Sequence, residues 1–417
     1  MYFRNTIFVL LNPNFMKLGI IREGKNPPDK RVPLTPEQCV DLEKRFPHVE
    51  VVIQNSQVRK ISDDAYSTLG LKIVDDVSDC DILIGVKEVN KSDLIPNKKY
   101  LFFSHTYKKQ PYNRDLLQTI LDKKIQLIDY EVLTKPNGAR LIGFGRYAGI
   151  VGCYNGFLTY GKKHNLYNLK PANQCEDRVE FENQLKNVKL PNDFKVVLTG
   201  FGRVGHGARE VIDSIGLREV TADEFLTQEF NEPVYTQLNV KDYFARKDGA
   251  DFNKPNFYKS GKGHISVFNK YMEVANMYIA CHYWNSSSPF IFTREDIKSN
   301  SIKTTVVADI SCDIDGPVAS TIRPSTIADP IYGYDPQTES EADFMKDGII
   351  AVMAVDNLPC ELPKDASEDF GNELLDKILP SLFGEDTDKI IERGSQTNLN
   401  GELMPNFAYL KDYLAGK

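Results

Sequence analysis

Long apolar runs are missing from this sequence. No stretch approaches the ~18 residues that a membrane-spanning helix needs, so no membrane partner is expected. Basic charge is also short: 51 Lys and Arg stand against 58 Asp and Glu, a net charge of -7. That balance argues against a protein that lives by gripping nucleic-acid phosphates, and no nucleic-acid partner is expected. An anionic substrate must then be met by a local basic pocket, not by the overall field. The seven cysteines are Cys39, Cys80, Cys153, Cys175, Cys281, Cys312 and Cys360. They are odd in number and widely spaced, with no C-x-x-C, which excludes a disulfide framework or a structural zinc site as the working assumption. No metal is expected, and a reducing cytoplasm is the expected compartment. Repeats of 20–50 residues and low-complexity tracts are absent as well.

What is present suits a globular protein. With 417 residues the chain has room for two or three domains and for sizeable cores. Its 41% hydrophobic and 26% charged residues are ordinary for a soluble fold. Near the start, Ile7–Leu11 is short and runs into Asn12-Pro13, without a small-residue cleavage site, so it makes a poor signal peptide. Met16 stands directly before the strand-like Lys17–Ile21. Residues 1–15 are expected to be a loose tail or an upstream mis-start.

The first half alternates strands and helices. Strands are expected at 17–21, 49–54, 81–86, 100–104 and 125–130. A helix should begin at Thr35-Pro36, with Thr35 as N-cap and Pro36 in the first helical position, and another near 111–123. This alternation predicts an α/β fold with parallel sheets covered on both faces. Residues 147–164 have helix length and much glycine, which calls for close packing. Buried strands are expected at 277–284 and 304–311, and a helix at 367–383 capped by Ser367. The polar stretch 227–270 reads as an insertion.

The strand Lys195–Leu198 leads into Gly200, Phe201, Gly202, Arg203, Val204 and Gly205, then a helix. This G-x-G-x-x-G spacing has a physical reason. The first glycine makes the turn, the second admits a pyrophosphate, and the third lets helix and strand approach, so that helix N–H groups face the anion. Asp223 lies about twenty residues on, after the short strand Glu219–Thr221, where an acid would bind a ribose 2′-hydroxyl and repel a 2′-phosphate. No arginine lies between 219 and 245 to welcome that phosphate. A second G-F-G-R at Gly143–Arg146 lacks the spacing, since its next glycine is Gly149, and it reads as a tight lead into a packed helix.

Several motifs then carry a family resemblance. Arg31-Val32-Pro33-Leu34-Thr35-Pro36, with Arg22-Glu23 upstream, resembles the alanine dehydrogenase and transhydrogenase N-terminal domain. Gly85–Glu88, Phe102–Thr106, Ile128–Glu131, Tyr283-Trp284, Asp309–Asp313, Asp356–Pro359 and Leu362–Ser367 resemble saccharopine dehydrogenases. The pattern matches best the lysine–2-oxoglutarate reductase half of bifunctional aminoadipic semialdehyde synthase, from about Met16 to about Phe383. The second catalytic half has no counterpart here, so one step is implied.

The resemblance implies two Rossmann-like domains with a cleft between them. A dinucleotide domain, 144–345, is inserted in a discontinuous substrate domain, 16–143 with 346–417. It also implies reversible, NAD(P)-linked formation or cleavage of saccharopine from L-lysine and 2-oxoglutarate, both small-molecule partners. The reductase half is similar to NADPH-using enzymes while Asp223 argues for NAD. The cofactor is therefore NAD or NADP, with NAD weakly favoured.

Such chemistry needs cations for carboxylates, an acid–base pair and a nicotinamide face. Lys87 and His105 each follow a buried strand and are the expected catalytic pair. Arg22, Arg31 and Arg140 are the expected carboxylate donors, and Glu88 and Glu131 would hold a substrate ammonium or tune Lys87. Gly200, Gly202, Arg203, Val204, Gly205, Asp223, Tyr283 and Asp313 are expected at the cofactor. An alanine dehydrogenase-type enzyme shares the Arg31, Lys87 and His105 set, and a catalytically silent NAD-binding regulator would keep the fold. The oligomeric state is left open.

Overall fold

A computed structural model describes residues 15–299 and 301–416. Almost all of the expected tail therefore lies outside the described residues. The chain divides into two compact units, Met1–Gly143 with Pro363–Lys417, and Phe144–Leu362.

In the first unit, the described strands are β1 (Met16–Ile20), β2 (Val49–Gln54), β3 (Lys72–Val74), β4 (Ile82–Ile84), β5 (Lys99–Phe102) and β6 (Gln126–Asp129). They form one sheet in the order β3-β2-β1-β4-β5-β6, and every pairing is parallel. Strands covered on both faces read as unbroken apolar runs, and Leu18, Ile20, Ile53, Leu83, Ile84 and Leu101 are fully buried. The order reverses between β1 and β4. In such sheets ligands bind outside the carboxyl ends of the strands at that reversal.

The helix Pro36–Arg45 starts as expected. Thr35 and Gln38 form a reciprocal capping box, and the side chain of Gln38 also bonds the Glu368 carbonyl and Asn372 of the helix Pro363–Lys377. That last helix begins earlier than expected. Ser367 lies inside it, accepting a bond from the Val32 N–H and donating to the Pro363 carbonyl. The helix ends at Lys377, and a separate short helix covers Leu379–Phe383.

In the second unit, the described strands are β7 (Lys195–Thr199), β8 (Arg218–Glu219), β9 (Val234–Leu238), β10 (Phe244–Arg246), β11 (His264–Ser266), β12 (Met277–Ala280), β13 (Val306–Asp309), β14 (Ile331–Asp335), β15 (Ser340–Ala342) and β16 (Ile350–Met353). β10 and β11 make a small antiparallel hairpin. The others form a sheet in the order β15-β14-β16-β13-β12-β7-β9-β8. It is parallel from β8 to β16, but β14 and β15 are antiparallel.

Three expectations change. Residues 346–362 belong to this second unit, because β16 pairs with β13 and β14; the chain leaves it at Leu362, not at 345. The sheet is not wholly parallel. And 227–270 is not simply an insertion, because its segment Val234–Leu238 is β9, fully buried beside β7.

The glycine-rich helix Gly145–Lys163 packs directly on the helix Arg203–Ile215. A Cβ on Gly149 would lie 1.9 Å from the Val204 carbonyl oxygen, a distance no side chain tolerates. The second G-F-G-R is the lead into this helix, and its Arg146 pairs with Glu210 at 2.7 Å.

Candidate active site

The parallel register brings the strand ends of the first sheet to one edge. Glu23 and Lys25 follow β1, Lys87 and Glu88 follow β4, His105 follows β5, and Glu131 follows β6. The contacts among them are specific. His105 Nδ1 bonds Glu88 Oε1 at 2.6 Å, and Glu88 Oε2 accepts from Lys25 Nζ at 2.8 Å. Burial alone would raise the Glu88 carboxyl, but these bonds from His105 and Lys25 prevail and bring it down to about 2. Burial, with the charges of Arg31 and Lys25 added, pushes the Lys87 ammonium below its ordinary range. Glu23 is half-buried and accepts from the N–H groups of Val86, at 2.6 Å, and Lys87, at 2.9 Å, so it fixes the backbone that carries Lys87. Burial raises the Glu23 carboxyl to about 7.

The arginines are placed differently from one another. Arg31 is buried, and its fork is engaged by Asp29 through 3.0 Å and 2.6 Å bonds. Burial would raise Asp29, yet Arg31 holds its carboxyl far below the usual carboxylate range. Arg140 and Lys108 both reach Glu131 Oε1, at 3.0 Å and 2.7 Å. Burial opposes ionisation of Glu131 and these two cations overcome it, lowering its carboxyl. Glu131 is thus already ion-paired. Arg22 bonds Asn55 and lines a separate cavity of about 280 Å³ with Asp75, Asp76 and Asp93, away from Lys87 and His105, which do not line it.

The second sheet has its own reversal, between β7 and β12. Gly200 follows β7 with φ of 94°, a left-handed conformation suited to glycine, and a Cβ there would meet the Cys281 carbonyl oxygen at 2.5 Å. Gly202 is the N-cap of the helix Arg203–Ile215, and no side chain caps that helix. A Cβ built on Gly202 meets nothing within 4 Å. An uncapped helix start facing open space is what a pyrophosphate requires, so these residues fit a dinucleotide. Arg203, Val204 and Gly205 form the first turn of the same helix. Tyr283 is 73% exposed just beyond β12, and Asp313 is exposed beyond β13.

Asp223 is placed elsewhere than the sequence led us to expect. It lies exposed in the helix Ala222–Thr227, after the edge strand β8, and β9 stands between β8 and β7. At ~4.8 Å per strand that sets β8 about 10 Å from β7, one strand spacing farther than a direct neighbour. The residue that follows the true neighbour of β7 is Asn239, whose N–H bonds Asp242 Oδ2 at 2.7 Å.

Known proteins can now be set beside this geometry. Residues 19–151 match the alanine dehydrogenase/PNT N-terminal domain family. That domain contains every strand of the first sheet and the charged edge just described, apart from the amino end of β1. Over longer spans the chain is similar to an alpha-aminoadipic semialdehyde synthase of Arabidopsis thaliana. The identity is 30% over 400 residues, covering 86% of this chain and 37% of the synthase. It is also similar to a saccharopine dehydrogenase [NAD(+), L-lysine-forming] of Schizosaccharomyces pombe, at 25% identity, covering 86% of this chain and 91% of that one. The chain thus spans less than half the length of the synthases it matches. These matches support the saccharopine dehydrogenase resemblance carried by the motifs. Among solved structures, an L-alanine dehydrogenase matches with a TM-score of 0.63 at 17% identity, over 96% of this chain and all of its own, which shows the fold.

Three features escaped the reading of the sequence. Glu23 was seen only as part of a motif. The Asp29–Arg31 pair was signalled only by an acid two residues from an arginine. Asp129 lay inside the Ile128–Glu131 motif, with nothing to mark its burial.

Proposed function

We propose that this protein is a nicotinamide-dependent oxidoreductase acting on a CH–NH bond, and that its reaction is the reversible joining of L-lysine and 2-oxoglutarate into saccharopine. The observation that carries this reading is the edge shared by Lys87, Glu88 and His105, with Lys25, Arg31 and Glu131 around them. The curated similarities supply the substrate class. Saccharopine carries three carboxylates and two nitrogens. Its oxidation takes a hydride from carbon and a proton from nitrogen, and water then adds to the imine.

A bound nicotinamide dinucleotide supplies the hydride acceptor, held by Gly200, Gly202, Arg203, Val204 and Gly205. The protein's own groups move the protons. Lys87, eased toward its neutral form by burial and neighbouring cations, and His105, with Nδ1 committed to Glu88, are the acid–base pair. One serves the nitrogen and the other the hydroxyl of the hydrated imine; coupled groups share their protons, so no order is assigned. Arg140 and Lys108, both paired with Glu131, are the cations set at this edge to meet a substrate carboxylate. Arg31 acts on Lys87 through its charge, since Asp29 occupies its fork. Asp242 beside Asn239 favours NAD over NADP, since its carboxylate would repel a 2′-phosphate. All seven cysteines are free, which suits a reducing cytoplasm.

The alanine dehydrogenase reading shares Arg31, Lys87 and His105 and the family match over residues 19–151, while its solved-structure likeness concerns fold only. Following the loss of reduced nicotinamide with lysine plus 2-oxoglutarate, and separately with pyruvate plus ammonia, tests the proposal. Consumption that needs both lysine and 2-oxoglutarate is expected. Consumption with pyruvate and ammonia alone would favour the alanine-type enzyme, and none with either pair a silent regulator.

A further inference from the structure

His105 sits in an unusual backbone state. Its φ is 54° and ψ 11°, a left-handed conformation that a residue with a Cβ rarely adopts. Something must hold the turn there. Its neighbours Ser104 and Thr106 are fully buried, and their side chains join a closed network. The Ser104 and Thr106 hydroxyl oxygens lie 2.7 Å apart. The Ser104 hydroxyl donates to Asp129 Oδ2, and its N–H points to the same oxygen at 3.3 Å. Asp129 Oδ1 accepts the Glu131 N–H at 2.8 Å, so one carboxylate ties the His105 turn to the Glu131 turn.

The last member comes from 290 residues beyond Thr106. Gln396 accepts from the Thr106 hydroxyl at 2.7 Å and donates to Asp129 Oδ2 at 2.8 Å. Its own backbone is seated on β6. Gln396 N–H bonds the Leu127 carbonyl at 2.8 Å, the Leu127 N–H bonds the Thr397 hydroxyl at 2.9 Å, and that hydroxyl bonds the Ile125 carbonyl at 2.6 Å. Gln396 is fully buried, so it cannot meet a substrate.

We propose that Gln396, with Asp129, is a positioning residue for His105: the returning C-terminal segment locks the Ser104–Thr106 turn and so aims the imidazole. The role rests on the function proposed above, in which His105 exchanges a proton. The groups whose charge reaches the imidazole are Glu88, Asp129 and Glu131, and the ring also stacks against Phe103 at 6.5 Å between centroids. The network fixes the place of His105 relative to all of them. Polar groups this deeply buried are costly when half satisfied, so removing one member disturbs the rest.

The test uses Gln396→Met and Thr106→Val, which keep shape and remove the bonds, with Thr106→Ser as the conservative rescue. Folding is checked by circular dichroism. The His105 ring is followed by NMR titration, its signals identified by their loss in His105→Gln. In Gln396→Met and Thr106→Val the signals should double or broaden and the titration midpoint move. Turnover should fall about tenfold to a hundredfold at unchanged affinity for reduced dinucleotide, as expected for a misplaced catalytic group. Thr106→Ser should behave as wild type. Folded variants with an unchanged His105 titration would overturn the proposal. So would unfolding of both variants, which would make the network a determinant of the fold alone. If the wild type consumes no cofactor with lysine and 2-oxoglutarate, the functional reading falls, while the NMR titration still decides the positioning role.

Discussion

β1, β4, β5 and β6 of the first sheet end in Glu23 and Lys25, Lys87 and Glu88, His105 and Glu131, whereas β7, β9, β12 and β13 of the second end in Gly200, Asn239, His282 with Tyr283, and Cys312 with Asp313. Both sheets reverse their strand order at the middle and present a ligand edge there. One edge is crowded with ionisable groups in contact. The other offers a glycine turn, an uncapped helix start and an exposed tyrosine. Even the buried His282 is kept neutral, its pKa brought down to about 4 by burial. In the proposed function, a shared topology yields a proton-handling edge and a dinucleotide-holding edge, and the side chains after the strands make the difference.

That contrast can be broken most sharply at Lys87 and His105. Lys87→Met and His105→Gln should each lower turnover by roughly 10²–10⁴-fold, the usual contribution of a general acid or base. Affinity for reduced dinucleotide, read by fluorescence titration, should stay within about twofold, because neither residue belongs to the second sheet.

Two carboxylates with raised pKa sharpen the comparison next. Burial raises both Glu23 and Glu361 to about 7, but Glu23 clamps the Lys87 backbone while Glu361 accepts from Asn155 at 2.8 Å, within the second unit. A carboxyl whose folded pKa exceeds its unfolded value stabilises the fold below the unfolded value, and that stabilisation is lost as pH rises through the folded value. Glu361→Gln should therefore gain on the wild type between about pH 4.5 and 7, by on the order of 3 kcal/mol at full ionisation, and hold that lead above. Urea melts across this range check it, with turnover unchanged. Glu23→Gln should alter turnover as well as stability.

Gly202→Ala asks whether the open space at the second edge is ligand space. Its φ of -84° suits alanine and a Cβ there meets nothing, so the melting temperature should not move. Affinity for reduced dinucleotide should fall about tenfold, since the methyl group would stand where the pyrophosphate approaches. Unchanged affinity would remove the turn from the cofactor site. The smallest effect is expected at the ribose. Asp242→Asn should narrow the preference for NADH over NADPH by a few-fold, and Asp223→Asn should leave it alone, as kcat/KM for the two cofactors will show.

Local signals made much of this legible before any coordinates. The Thr35–Gln38 cap, the apolar runs of the first sheet and the strand–glycine–helix pattern at Gly200 are each written in a few consecutive residues. What was misread depends on distant partners. Val234–Leu238 sits among polar residues, and only its pairing with β7 shows that it, and not Glu219–Thr221, lies next to the turn; Asp223 lost its place for that reason. The run around Ile350–Met353 could serve either sheet until β13 and β14 claimed it. Arg31 looked like an open donor because burial of its partner Asp29 cannot be read from spacing. Gln396 carries no local signal at all, since its side-chain partners lie in β6 and in the turn that follows β5.

The most direct test of the central claim is the pH dependence of kcat/KM in wild type, Lys87→Met and His105→Gln with saccharopine and the oxidised dinucleotide. An acid–base pair at the edge of the first sheet predicts a bell-shaped wild-type profile that loses one limb in each variant. A bell that survives intact in both variants would contradict the account and leave Lys87 and His105 as structural residues.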